Sequence, residues 1–148
     1  MRSASSAALL AILAAAAAAA CGNSSGDDDG YNGHPACGSD ADCGSGDLCA
    51  RDETCWDADD VEAVKITWTF DGSAASDATC TSFPYLYVEF ISYSYSFEFS
   101  PVPCNAGEFP IDKLPTIYTE VQIGDLNEMY FQQSAQITGS AVAFDLQP

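Results

Sequence analysis

An antiparallel β-sandwich of about seven strands is the fold class the sequence predicts for residues 61–148, and three features predict it. Apolar and polar residues alternate along several segments. Gly, Pro, Asn and Asp separate those segments at short intervals. No stretch beyond ten residues carries the 3.6-residue period of an amphipathic helix.

The elements follow in order. Val64, Ile66, Trp68 and Phe70 alternate with Lys65, Thr67 and Thr69, which predicts a half-buried strand ended by Asp71-Gly72-Ser73. Leu86, Val88 and Phe90 alternate with Tyr87 and Glu89 in a second strand. Tyr93, Tyr95, Phe97 and Phe99 alternate with Ser94, Ser96 and Glu98 in a third. No Gly or Pro separates the last two, so they are one long strand or two joined by a tight hairpin or bulge near Ile91-Ser92. Most strands are short, which favours two. Pro101, Pro103 and Asn105-Ala106-Gly107 read as a turn region, and Phe109 to Ile111 as a short edge strand. Tyr118, Val121 and Ile123 predict a strand ended by Gly124-Asp125. Met129 to Ile137 and Ala141 to Leu146 complete the set. Cys80 and Cys104 are left to pair with each other, a closure of about 3 kcal/mol in the chain-entropy model.

Upstream, cysteines fall at 37, 43, 49 and 55, each separated by five residues, with little that is apolar between them except Leu48. So small a segment cannot form a core, and its order must come from covalent links. Four cysteines allow three pairings; Cys37–Cys49 with Cys43–Cys55 is the favoured one. The stretch Cys37-Gly38-Ser39-Asp40-Ala41-Asp42-Cys43 and its continuation to Cys49 resembles the short cysteine-rich modules of extracellular proteins and of bacterial surface lipoproteins. Gly22 to Ala36 is rich in Gly, Ser, Asn and Asp, with no apolar period, and predicts a flexible acidic spacer.

Met1-Arg2 supplies one positive charge, and Ala7 to Ala20 is an apolar run too short to span a bilayer. A charged start, an apolar middle and a small-residue end predict a secretory signal peptide. Ala18-Ala19-Ala20-Cys21 resembles the lipobox of bacterial lipoproteins, with Ala18 where those proteins usually carry Leu. The resemblance implies cleavage before Cys21 and lipidation of its thiol. Parity agrees, since Cys21 is the odd one of seven cysteines. Gly22 is not the Asp associated with inner-membrane retention in such lipoproteins, which implies the outer membrane of a Gram-negative cell. The chain thus divides into a leader over 1–20, a lipidated cysteine and spacer over 21–36, a cysteine module over 37–60 and the sandwich over 61–148.

The order Ile66-Thr67-Trp68-Thr69-Phe70, Ala78-Thr79-Cys80, Pro103-Cys104 and Leu114-Pro115 followed by Tyr118 and Val121 resembles lipoprotein domains of transthyretin-like or carboxypeptidase-regulatory-like type. Thr116-Ile117 stands where those domains carry a Gly. The resemblance implies a non-catalytic stalk or interaction module.

The candidate chemistry is thin. Removing Arg2 with the leader leaves three basic residues against 22 acidic ones, a charge of −19 that repels nucleic acid. The only histidine, His34, lies in the spacer, where it cannot be positioned for a triad or a zinc site. Five-residue cysteine spacing departs from the short pairs of structural zinc sites. Asp27-Asp28-Asp29-Gly30-Tyr31 departs from the calcium-loop pattern at its fifth place. Glu89, Glu98, Glu108 and Glu120 lie in or beside strands, where paired carboxylates would suit a glycosidase, but surface strands carry Glu routinely. Tyr85, Tyr87, Tyr93 and Tyr95 are the cluster of interest. They are either sandwich core or a binding face for sugar rings or a protein partner. The sequence therefore predicts no enzyme and no cofactor. It predicts a lipid-anchored envelope protein whose partners are the membrane and either envelope proteins or glycans.

Overall fold

The computed structural model describes residues 33–127 and 131–148. Ten strands run through them: β1 (Asp47–Cys49), β2 (Cys55–Asp57), β3 (Val61–Phe70), β4 (Ser73–Ala74), β5 (Tyr85–Ile91), β6 (Ser96–Pro103), β7 (Glu108–Pro115), β8 (Glu120–Asp125), β9 (Gln132–Gln136) and β10 (Ala141–Leu146). There is no α-helix among the described residues, and the fold is mainly β.

Two four-stranded sheets pack face to face. In one, β3 is central, with β10 on one side and β7 and β4 on the other. The second has the order β6-β5-β8-β9. Strand parity decides what lies between them. Val64, Ile66, Trp68 and Phe70 of β3 point inward beside Val142, Phe144 and Leu146 of β10. Across the gap, Phe97, Phe90, Val121 and Ala135 form one row of cross-strand neighbours, and Phe99, Val88 and Ile123 the next. These side chains belong to one apolar cluster. Each fully buried large aliphatic side chain contributes roughly 1.5–3 kcal/mol of transfer free energy.

The differences from the expected elements have local causes. The pair β3–β10 is parallel, so the sandwich is antiparallel in all its pairs but that one. The third strand starts at Ser96 rather than Tyr93, because residues 92–95 form the hairpin tip: Ser92 N–H donates to the Tyr95 carbonyl at 2.8 Å. That strand also runs through Pro101 and Pro103, which the sequence places in a turn. An edge strand tolerates proline because half of its N–H groups have no ladder partner, and β6 is an edge of its sheet. The register shifts between Leu86 and Val88, where Leu86 faces Val102 and Val88 faces Phe99. The extra residue at Ser100-Pro101, a cis peptide, turns Val102 inward again. β7 is eight residues long rather than three. Tyr118 is buried in the turn before β8 and not in the strand. Met129 and Tyr130, expected to open the sixth strand, lie outside the described residues, and β9 begins at Gln132. β4 was not expected at all. Asp71 and Gly72 both take positive φ (48° and 74°), as a two-residue hairpin of primed type requires, and this turn folds Ser73-Ala74 back on β3.

Gly124 is the tightest position of the second sheet. A Cβ there would stand 2.7 Å from Cε1 of Tyr87, its cross-strand neighbour, and 2.9 Å from the Phe131 carbonyl. We predict that Gly124→Ala lowers unfolding stability by about 1–3 kcal/mol, the usual range for overpacking. Urea denaturation checks it, and an unchanged midpoint would contradict this packing.

Candidate interaction surfaces and the cysteine module

The module holds two disulfides in very little chain. Cys37 is bonded to Cys49 and Cys43 to Cys55, the favoured pairing, while Cys80–Cys104 crosslinks the sandwich. Three disulfides are the mark of an extracytoplasmic protein. The sulfurs of Cys37, Cys43 and Cys55 lie within 4.8 Å of one another, because the two bonds of the module pack side by side. Bonded sulfurs have no thiolate to offer a metal ion.

The module is docked on the sandwich along β7. Arg51 N–H donates to the Lys113 carbonyl at 3.0 Å, covering part of an open sheet edge. The Arg51 guanidinium forks onto Asp112 at 2.7 and 2.8 Å, and Lys113 Nζ bonds both oxygens of Asp40 at 2.6 and 2.8 Å. Asp52 joins the two parts more deeply. Its carboxylate accepts from Thr54 N–H and Oγ1, from Trp56 Nε1 and, across the seam, from the Tyr118 hydroxyl at 3.1 Å. A cleft of about 630 Å³ follows this seam, lined by Asp40, Arg51, Glu53, Phe99 and Lys113 among others. Its two cations are already matched by Asp112 and Asp40, so they carry little net attraction for an anion.

His34 is held, contrary to the expectation of a loose spacer. Its ring stacks on Trp56 with centroids 3.8 Å apart, and Nδ1–H donates to the Cys55 carbonyl at 2.8 Å. Around it, Cys55 N–H donates to the Pro35 carbonyl and Ala36 bridges Thr54. Asp27 to Gly33 and Cys21 lie outside the described residues, apart from Gly33 itself.

The four tyrosines do not share a face. Tyr87 is only 3 % exposed; its ring covers Gly124 and its hydroxyl accepts from Gln122 Nε2 at 2.9 Å. Tyr93 stands free at the hairpin tip at 105 % exposure, and Tyr95 beside it is 36 % exposed. Tyr85 is 49 % exposed at the other end of β5, roughly 20 Å away at the strand's rise per residue. The break in parity at the tip explains the scatter, since odd-numbered residues face outward on β5 and inward at Phe97 and Phe99 of β6. The glutamates are divided between the two sheets. Glu89 and Glu98 are cross-strand neighbours on the outer face of the second sheet. Glu120 accepts from Gln136 Nε2, and Glu108 pairs with Lys65 on the other sheet.

Tyr85 is the tyrosine set in a groove. A cleft of about 470 Å³ is lined by Asp77, Thr81, Pro84, Tyr85, Pro103 and Asn105, beside Cys80. No local pattern marks Asp77 and Asn105, which are 28 residues apart and meet because Cys80–Cys104 brings their loops together.

Nothing matches the chain among protein-family models, curated proteins or solved structures. What stands is a mainly β, sheet-built domain carrying a disulfide-bonded cysteine module.

Hydrogen bonds and nearby cations hold several carboxyls of the seam below the usual carboxylate value. For Asp112 the cause is first the Arg51 hydrogen bond, and for Asp40 first that of Lys113. A carboxyl with a lowered folded-state pKa stabilises fully above its unfolded value and loses that contribution as pH falls through the folded one. We predict that Asp112→Asn melts at a lower temperature than the native chain at pH 7. That difference should close as pH falls below about 3.8, the value from which Asp112 is lowered. Paired thermal melts across that range check it; a difference independent of pH would contradict the ion pair's role.

Proposed function

We propose that the protein is a lipid-anchored lipoprotein of the cell envelope, tethered through Cys21, and that its head is a non-catalytic interaction domain. The observation that carries this reading is where the spacer ends. His34, Pro35 and Ala36 are bound to Thr54, Cys55 and Trp56 of the cross-linked module. A tether from Cys21 therefore delivers its load to a disulfide-stapled block that is itself bonded to the sandwich at Asp52, Asp40 and Arg51. From Cys21 to Gly33 the chain can span at most roughly 40 Å, which sets how far the head stands from a bilayer.

Other observations support the reading. The leader ends in the small residues and cysteine of a lipobox. Two acyl chains or more give stable anchoring. Gly22 after the cysteine favours the outer membrane. The head's likeness to transthyretin-like or carboxypeptidase-regulatory-like domains is supported by Leu114 and Tyr118, both buried on either side of the turn after Pro115. Against an enzymatic role stand the use of the sole imidazole in a stack and a backbone hydrogen bond, and the spread of the glutamates over two outer faces. The interaction role, with an envelope protein or glycan as partner, follows from the grooves and exposed aromatics.

Intact mass of the chain extracted from membranes tests the anchor. The expected mass is that of residues 21–148 plus acyl chains, gaining six hydrogens on reduction of the three disulfides. Cys21→Ser should move the protein from the membrane fraction to the soluble fraction. An unacylated mass, or a Cys21→Ser chain that stays with membranes, would overturn the reading.

A further inference from the structure

The groove at Tyr85 is built before any ligand enters it. The loop from Ser76 to Phe83 is closed on itself: Cys80 N–H donates to the Ser76 carbonyl, Thr81 Oγ1 to the Asp77 carbonyl at 3.0 Å, and Phe83 N–H to the Cys80 carbonyl. Phe83 plugs this loop into the core against Phe70 and Phe131, with ring centroids 5.1 and 5.2 Å away. The facing wall, Pro103 to Asn105, is fastened by the Cys80–Cys104 bond and by Cys104 N–H donating to the Pro84 carbonyl. Walls whose backbone is fixed this way lose little entropy when a ligand binds.

The groove's chemistry is specific in kind. Tyr85 offers half of its ring to solvent, and Pro103, its cross-strand neighbour, lies alongside with Pro84. Asn105 Nδ2 donates to Asp77 Oδ1 at 2.6 Å. Among the described residues no hydrogen bond engages the other Asp77 oxygen or the Asn105 amide oxygen. The pair therefore presents two oriented acceptors at the edge of an aromatic plate, and the remaining amide hydrogen is a donor. A flat apolar platform flanked by a carboxylate–amide pair fits a ligand with one C–H face and a rim of hydroxyl donors. The absence of a cation among the lining residues makes an anionic ligand unfavourable beside Asp77.

We propose that this groove is a binding site for a neutral pyranose ring. One sugar face stacks on Tyr85, and its hydroxyls donate to Asp77 and Asn105. The site lies at the end of the sandwich opposite the module, since β5 begins at Tyr85 and ends at the hairpin whose base, Ser96 and Phe97, lines a cleft with Ala36 and Thr54. A head tethered through the module presents the groove away from the anchor. This assignment rests on the reading of the head as an interaction domain, but sugar binding needs no lipid, so the two fail separately.

The test uses the full mature chain in detergent. Neutral gluco-, galacto-, manno- and N-acetylglucosamine-configured oligosaccharides are titrated while NMR follows the Asn105 side-chain amide and the Tyr85 ring. At least one series is expected to shift both. Tyr85→Ala and Asn105→Ala should weaken binding at least tenfold with an unchanged melting temperature, Tyr85→Phe should retain it, and Tyr93→Ser should bind as the native chain does. The proposal is overturned if no oligosaccharide shifts these resonances. It is equally overturned if Tyr85→Ala, still folded, binds as tightly as the native chain, or if Tyr93→Ser is the variant that loses binding.

Discussion

The carboxylate of Asp52 accepts hydrogen bonds from Thr54 and Trp56 on one side and from Tyr118 on the other, and the relation between the chain's two parts depends on it. A hydrogen bond to a charged acceptor contributes about 1.5–3 kcal/mol when it is well shielded. More important is what Asp52 fixes. It orders Thr54 and Trp56, Trp56 in turn supports the His34 ring, and the first described residues of the chain are set by that stack. The module has no apolar core of its own, so its two disulfides and this polar seam must supply its order. Two of the chain's four basic residues, Arg51 and Lys113, also lie at the seam. In a chain with so large an excess of acid, placing them there relieves repulsion between the parts while leaving the remaining surface anionic.

Much of this fold was legible in the sequence because its strands bury one face. A period of two marks such strands plainly, and Val64 to Phe70, Leu86 to Phe90 and Ala141 to Leu146 match the observed strands to within three residues at each end. The failures come where a local rule competes with sheet geometry. Proline argued against a strand at 101 and 103, yet an edge position and a bulge accommodate both. β4 is too short to show periodicity, and only the Asp71-Gly72 turn betrays it. The parallel pairing of β10 with β3 has no local sequence signal, because it joins residues about seventy-five positions apart.

The candidate site was legible only in part. Tyr85 stood out as one of four aromatics at alternate positions, but alternation could not show that a hairpin tip reverses their facing. Asp77 and Asn105 are ordinary loop residues in sequence and become a pair only through the Cys80–Cys104 closure. His34 looked unconstrained because its partners, Trp56 and the Cys55 carbonyl, are positioned by tertiary structure. Chemistry-bearing residues on loops are in general fixed by contacts distant in sequence.

Joined through Asp52, module and sandwich should unfold as one cooperative unit. Native-state hydrogen exchange of the disulfide-intact chain over a series of sub-denaturing urea concentrations tests it most directly. The amides of Cys37, Ala50 and Arg51 are expected to open with the same free energy and the same urea dependence as those of Lys65 and Trp68 in β3. Module amides that exchange through a separate, lower-energy opening, with β3 still protected, would contradict it.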